Sequence, residues 1–383
     1  MLSDSAIADA SITPESVTEV PELPRCHSAT QTLLPSRPNA AIIPSTSRPG
    51  CKPARIPALD FTKGALVLLM VLYHWLNYFV GNGSYAYRYL RFITPSFIFI
   101  AGFLMPAVYL SNRALSGGVL SKRLVLRGLK IFGIFLALNA AISLHFHLRT
   151  TEVTRVALLY RIAVACLTGN IALGHTKLVS FYILVPIGAL LLLTALLSLI
   201  SRRCAYSVHI VIGMSFCVMF GLWLHALSSP NLELVTIGLL GVLIGFVPIQ
   251  SIKAIAGRPY VLGVAYAVYL IGLAAWNAVY PLQIVGVCLN VMLIYLLGER
   301  AEQMGRIGRN IVLLGKYSLF GYIVQIAILQ LLHTVMNSAN PEAWRLVLSI
   351  VVAVILTIGT VKIMDYLRFR WSPVNRLYGA VFS

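Results

Sequence analysis

Between Leu59 and Trp75 the chain reads LDFTKGALVLLMVLYHW, an apolar run holding a carboxylate, an ammonium and an imidazole: Asp60, Lys63 and His74. Hydrocarbon penalises charge, so such groups must be paired, hydrated or put to use. Lys63 and His74 are eleven residues apart. At about 3.6 residues per turn that is roughly three turns, so both side chains share nearly one helical face, ~16 Å apart along the axis. Asp60 stands a turn before Lys63 and Asn77 a turn past His74, which makes one polar stripe. A neutral imidazole in a semi-dry pocket takes a proton from a hydroxyl, and cations near the start of the helix hold phosphates. An acyl-CoA meets both demands, with a polyanionic head and a slim thioester arm. His74 would deprotonate a hydroxyl as its oxygen attacks the thioester carbonyl, or would itself receive the acyl group. The structural alternative is an end-of-helix Asp60–Lys63 ion pair, Lys63 reaching the headgroups, and a His74 that hydrogen-bonds between helices.

These groups need a scaffold, and the composition names its class. Of the residues, 58% are hydrophobic and 11% charged, and the apolar runs reach the ~20 residues a bilayer crossing requires. The reading is an all-α, polytopic integral membrane bundle of about ten transmembrane helices, with 156–174 as a candidate eleventh; the short alternating segments of a barrel are missing. The ten expected spans are 58–80, 90–110, 124–144, 179–200, 207–227, 233–250, 260–277, 281–297, 311–333 and 345–366. Residues 1–57 are rich in Pro, Ser, Thr and Ala, carry five acidic and five basic side chains, and read as a disordered cytosolic tail without a cleavable signal. Residues 58–370 form the membrane domain and 371–383 a short cytosolic tail.

The net charge of +18 therefore sits in the membrane domain and its loops. Placing the amino terminus in the cytosol puts Arg113, Lys122, Arg123, Arg127 and Lys130 on that side. With 156–174 entering but not crossing, Arg202, Arg203, Lys253, Arg258, Arg300, Arg306, Arg309, Arg368, Arg370 and Arg376 join them, as positive-inside bias requires. Both termini are then cytosolic, in a multi-pass cell-membrane protein in contact with lipid. No basic domain stands apart from the spans, so nucleic acid is not an expected partner.

Other polar groups fall near the proposed cavity. Arg91, in RYLRFITPSF, suits an acceptor or a donor carboxylate through its fork geometry, against simple interfacial anchoring beside Tyr85, Tyr87 and Tyr89. Lys316 and Ser318 enter a late span from the cytosolic side and fit a CoA mouth or snorkelling. Arg127 shares a face with Arg123 and Lys130, fit for phosphate or lipid. His145 and His147, beside Arg149 and near Glu152, lack further ligands at metal-site spacing, and the six scattered cysteines show neither a metal nor a disulfide pattern, so no metal is expected.

LDFTKGALVLLMVLYHW resembles the first-helix signature of the membrane acyltransferase-3 family: a basic residue, ten intervening positions, then His, here Lys63 and His74. SFIFIAGFLMPAVY (96–109) is similar to the family's aromatic-rich second helix, and SFYILVPIGALLLL (180–193) to a segment of its glucan succinyltransferase branch. LGKYSLFGYIVQI (314–326) is similar to its late-helix Gly-Arg/Lys-x-Ser segment. LLYRIAVACL (158–167) resembles glucosaminide acetyltransferase relatives. The likeness spans about 58–370. It implies a roughly ten-helix acyltransferase that holds no permanent cofactor, takes cytosolic acetyl-CoA or succinyl-CoA as cosubstrate and modifies a glycan hydroxyl, with an amino sugar as a further acceptor class. It carries His74 over as the catalytic histidine and Lys63 as its basic partner. Lys63, Lys316 and Arg127 are assigned to the CoA, and Arg91, Asn77 and Asp60 to the substrate. Ala101 replaces the small polar residue often found before the Gly, and LGKYSLFGYIVQI ends without the family's frequent histidine. A secondary transporter or flippase-like protein is the alternative, but no inverted repeat or pair of broken helices supports it.

Overall fold

The computed structural model describes residues 56–81, 87, 89–106, 117–147, 172–173, 176–177, 181–200, 207–225, 229–248, 250–251, 254, 257–276, 279–337 and 343–382. Residues 1–55, Arg88, Arg149, Glu152, the apolar segment 156–171 and the side chains of His145 and His147 lie outside them. Among the described residues there are twelve helices: α1 (Pro57–Phe79), α2 (Ile93–Leu104), α3 (Gly117–His147), α4 (Leu184–Ile200), α5 (Ser207–Leu224), α6 (Pro230–Ile244), α7 (Pro259–Trp276), α8 (Tyr280–Glu299), α9 (Gly305–Lys316), α10 (Ser318–Asn337), α11 (Ala343–Arg370) and α12 (Ser372–Phe382). Between α3 and α4, β1 (Ala172–Leu173) and β2 (Thr176–Lys177) pair antiparallel, Ala172 with Lys177 and Leu173 with Thr176. The regular structure of the described residues is otherwise helical.

Among the described residues five helices are long and apolar enough to cross a membrane: α1, α3, α8, α10 and α11. The expected spans 90–110, 179–200, 207–227, 233–250 and 260–277 hold the shorter apolar helices α2, α4, α5, α6 and α7. This is consistent with a multi-pass helical bundle. The outward side chains of α7 (Val264, Val268, Ile271) and of α11 (Val347, Val351, Ile355) are exposed and apolar, the reverse of a water-facing helix.

One expected span is divided. The stretch 311–333 is not a single helix: α9 ends at Lys316, Tyr317 leaves helical geometry at φ −111° and ψ 27°, and α10 starts at Ser318. Tyr317 is only 2% exposed. Its ring is buried with Val67, Leu314 and Val361, so side-chain burial outweighs the helical regularity that hydropathy alone suggests. The expected tail 371–383 carries α12, which packs on α11 and touches α3.

α1 is the hub, packing against α2, α8, α9, α10 and α11. Pro57 lies in its first turn, where no backbone N–H is needed, with Asp60 at the positive end of the helix dipole. Gly81, at φ 92°, ends it. Trp75 Nε1 donates to Ser349 Oγ of α11 at 2.6 Å, and Gln330 Nε2 of α10 donates to the Tyr78 hydroxyl at 3.2 Å. The tightest approach is to α9. A Cβ added at Gly64 would collide with the Ile311 carbonyl, and one at Gly315 with the Asp60 carbonyl, so the two backbones touch where only glycine fits. α2 and α6 meet likewise, Gly102 against Gly238 and Gly241 against Phe99.

Gly64→Ala and Gly315→Ala are each expected to destabilise the bundle by about 1–3 kcal/mol through overpacking. Gly359→Ala on α11, where an added Cβ meets nothing within 4 Å, should be neutral or stabilising by up to about 1 kcal/mol through helix propensity. Thermal unfolding of the three variants in detergent checks the contrast.

Candidate active site

The Gly64–Gly315 contact brings the beginnings of two expected site segments together. Next to it, Lys63 Nζ pairs with Asp60 Oδ1 at 2.5 Å, the side chains 22% and 14% exposed. The end-of-helix ion pair that the sequence offered as the structural alternative is formed. On the adjoining end of α9, Lys316 Nζ lies 3.3 Å from Asp365 Oδ1 of α11. Lys63 and Lys316, far apart in sequence, thus occupy one end of the bundle.

Lys316 also lines a cavity of about 560 Å³, together with Tyr317, Lys362, Asp365, Arg368 and Asn375. Three cations and one carboxylate give it a positive balance, fitted to an anion. Lys316, Tyr317, Asp365, Arg368 and Asn375 are bonded into one network. The Tyr317 hydroxyl donates to Asp365 Oδ1 at 2.5 Å, and Arg368 Nη1 donates to the Tyr317 oxygen at 3.1 Å. Arg368 Nε and Nη2 donate to Asn375 Oδ1 at 3.1 and 2.8 Å, and the guanidinium lies 4.1 Å from the centre of the Tyr378 ring. α12 is therefore pinned as a wall of the cavity. Burial first, and then the bond to Asp365, pushes the Tyr317 hydroxyl up to about 12, so at neutral pH it remains a donor.

His74 lies further along α1, inside an aromatic shell. Its ring is edge-on to Tyr73 at 5.4 Å and tilted to Tyr322 of α10 at 6.3 Å, and Phe181 meets Tyr322 edge-on at 6.2 Å. Its Nε2 is buried. The Tyr73 and Tyr87 hydroxyls are 2.5 Å apart with their rings stacked at 4.9 Å. Thr94 and Arg91 lie within electrostatic or hydrogen-bonding reach of Tyr73, and Arg91 acts in turn on Glu233 of α6. Arg91 is exposed, with its carbonyl accepting from Gln283 Nε2 at 3.5 Å.

A model of an acyltransferase domain, of the acyltransferase-3 superfamily, matches residues 56–362. The chain belongs to this acyltransferase family. Comparison with curated proteins and with solved structures gave no match. In this acyltransferase the match begins just before α1 and runs into α11, so it covers His74, Tyr322 and Lys316. Asp365, Arg368 and α12 fall beyond it.

The structure groups Asp60 and Lys63 with the Lys316 end, and Tyr73 of the His74 shell with Arg91; Asn77 follows His74 by one turn on α1. It does not bring Arg127 into the Lys316 cavity: Arg127 is half-buried on α3, which packs chiefly on α4. Sequence reading missed Lys362, Asp365, Arg368 and Asn375, whose signal is weak because each looks like an ordinary charged or polar helix end. It also missed Gln325. Of the ten buried polar side chains among the described residues, nine donate a hydrogen bond to a backbone carbonyl. Gln325 is the tenth: it is 0% exposed, and neither atom of its carboxamide has a hydrogen-bond partner. Such a group costs about 1–3 kcal/mol per orphaned atom.

Tyr317→Phe removes a bond to a carboxylate and is expected to cost about 1–3 kcal/mol. Between the ordinary tyrosine value near 10 and about 12, the folded state keeps a proton that the unfolded chain releases, so stability falls as the pH rises through that window. Unfolding curves at pH 7 and across pH 9–12 should show a lower plateau and a shallower alkaline decline in Tyr317→Phe than in wild type.

Proposed function

We propose that the protein is a membrane-bound O-acyltransferase that moves an acetyl or succinyl group from acyl-CoA to a carbohydrate hydroxyl, with His74 as general base. The observation that carries this reading is the position of His74. It sits inside an aromatic shell on the helix around which an acyltransferase-family bundle packs, while a cation-lined cavity lies at the other end of that helix.

In this reading the Lys316 end faces the cytosol, and Lys316, Lys362 and Arg368 receive the phosphates of the CoA. The pantetheine arm runs along α1 toward His74, the ~16 Å of three helical turns. The acceptor approaches from the Asn77 and Arg91 side, where Tyr73, Tyr87 and Thr94 offer hydroxyls and ring faces suited to sugars, and Arg91 is placed for a hydroxyl or a succinyl carboxylate. His74 takes the hydroxyl proton as the acceptor oxygen bonds to the thioester carbon, the C–S bond breaks, and the thiolate of CoA leaves and recovers the proton. Lys63, neutralised by Asp60, supports the mouth through its position and the adjoining backbone contact. An acetyl donor demands no cation beside the acyl group, whereas a succinyl donor gives Arg91 a carboxylate to hold, so donor choice reports on Arg91.

Membranes carrying the protein are expected to transfer label from acetyl-CoA or succinyl-CoA to endogenous glycan above a vector control. His74→Ala should lower that transfer by about 10²–10⁴-fold at equal membrane insertion, and transfer at the wild-type rate would remove His74 from its assigned role. Lys316→Ala should raise KM for the CoA donor about tenfold with kcat unchanged, the mark of binding lost equally from ground and transition states.

A further inference from the structure

Gln325 sits on α10 one turn beyond Tyr322, the residue whose ring faces His74. α1 and the α9–α10 pair run parallel: Gly64 meets Gly315, Val67 meets Gly321, and Tyr78 is bonded to Gln330. The Tyr78–Gln330 bond sets an offset of 252 residues, which places Gln325 level with Tyr73 and next to the level of His74. Among the described residues the buried serines, threonines and asparagines each donate to a carbonyl, most often of their own helix; Gln325 keeps both a donor and an acceptor unspent. A carboxamide in this condition, a turn from a family histidine's ring neighbour, is suited to a ligand atom arriving in the site.

Building on the proposed function, we infer that Gln325 binds the reacting acyl group, its Nε2 donating to the thioester carbonyl oxygen as that oxygen gains negative charge. When the acceptor oxygen bonds to the carbonyl carbon, the C=O electron pair moves onto oxygen and the acceptor proton passes to His74. The Gln325 N–H₂ stabilises this oxyanion. The pair then returns, the C–S bond breaks, and the leaving thiolate takes the proton from the imidazolium. A donor preorganised in a water-poor interior needs no rearrangement as charge develops. The carbonyl of the same side chain is left to accept from the acceptor hydroxyl or from an amide N–H of the pantetheine arm.

The test compares wild type with Gln325→Leu and Gln325→Met, two apolar residues of similar volume, in labelled transfer from acetyl-CoA and succinyl-CoA in membranes and in thermal unfolding in detergent. Both variants should lose about 10²–10³-fold in kcat, keep KM for the donor within about twofold, and unfold at or above the wild-type temperature, since a buried unpaired amide has been removed. A group that merely packs would give the opposite pattern. Transfer by either variant at the wild-type rate, or loss of transfer only in step with lost folded protein, overturns this inference alone. Wild-type membranes that move no acyl group from either donor overturn the proposed reaction and this inference with it.

Discussion

The close backbone approach of α1 and α9 at Gly64 and Gly315 is the constraint on which the rest of the bundle depends. Apolar attraction between helices is weak in lipid, because lipid tails compete for the same surfaces, so helices associate where small residues let backbones meet. This contact sets the level of α10 against α1, since α10 follows α9 with only Tyr317 between them. From that level follow the pairing of His74 with Tyr322 and of Tyr78 with Gln330, and Gln325 lies on α10 between Tyr322 and Gln330, fully buried.

The same contact gathers charge at one end. Lys63 and Asp60 pair within α1, and Lys316 pairs with Asp365 one helix away. Tyr317 and Arg368 tie that pair to α12 through Asn375. Moving away from this end along α1, ammonium and carboxylate groups give way to aromatic rings, hydroxyls and an imidazole. An anion is suited to the Lys316 end, while the His74 end adds Arg91, whose charge reaches Tyr73 and Glu233, to its rings and hydroxyls.

How polar groups are satisfied in the interior separates structure from function. Thr62, Thr194, Thr236 and Thr357 return their hydroxyls to the carbonyl four residues back, and Asn139 and Asn290 do the same with their amides. Each of these side chains thus has a partner within its own helix. Gln325, with a longer side chain on α10, makes no such bond. The difference is invisible in composition, where all are polar residues inside apolar runs.

The sequence by itself determined the helical membrane class, the polar stripe of α1 and the family. Each depends on local quantities: hydropathy over a bilayer's thickness, a fixed angle per residue, and residue order. The Lys63–Asp60 pair was legible for the same reason, being one helical turn long. The break at Tyr317 was not, because it is driven by ring burial against α1 and α11 and by Asp365, forty-eight residues later. The cation-lined cavity and the exclusion of Arg127 from it were equally hidden, since they follow from which helices adjoin. In sequence Gln325 is one more polar residue in an apolar run, with nothing to mark it as a buried amide without a partner. That property belongs to no single helix, and only the packing of α10 within the bundle created it.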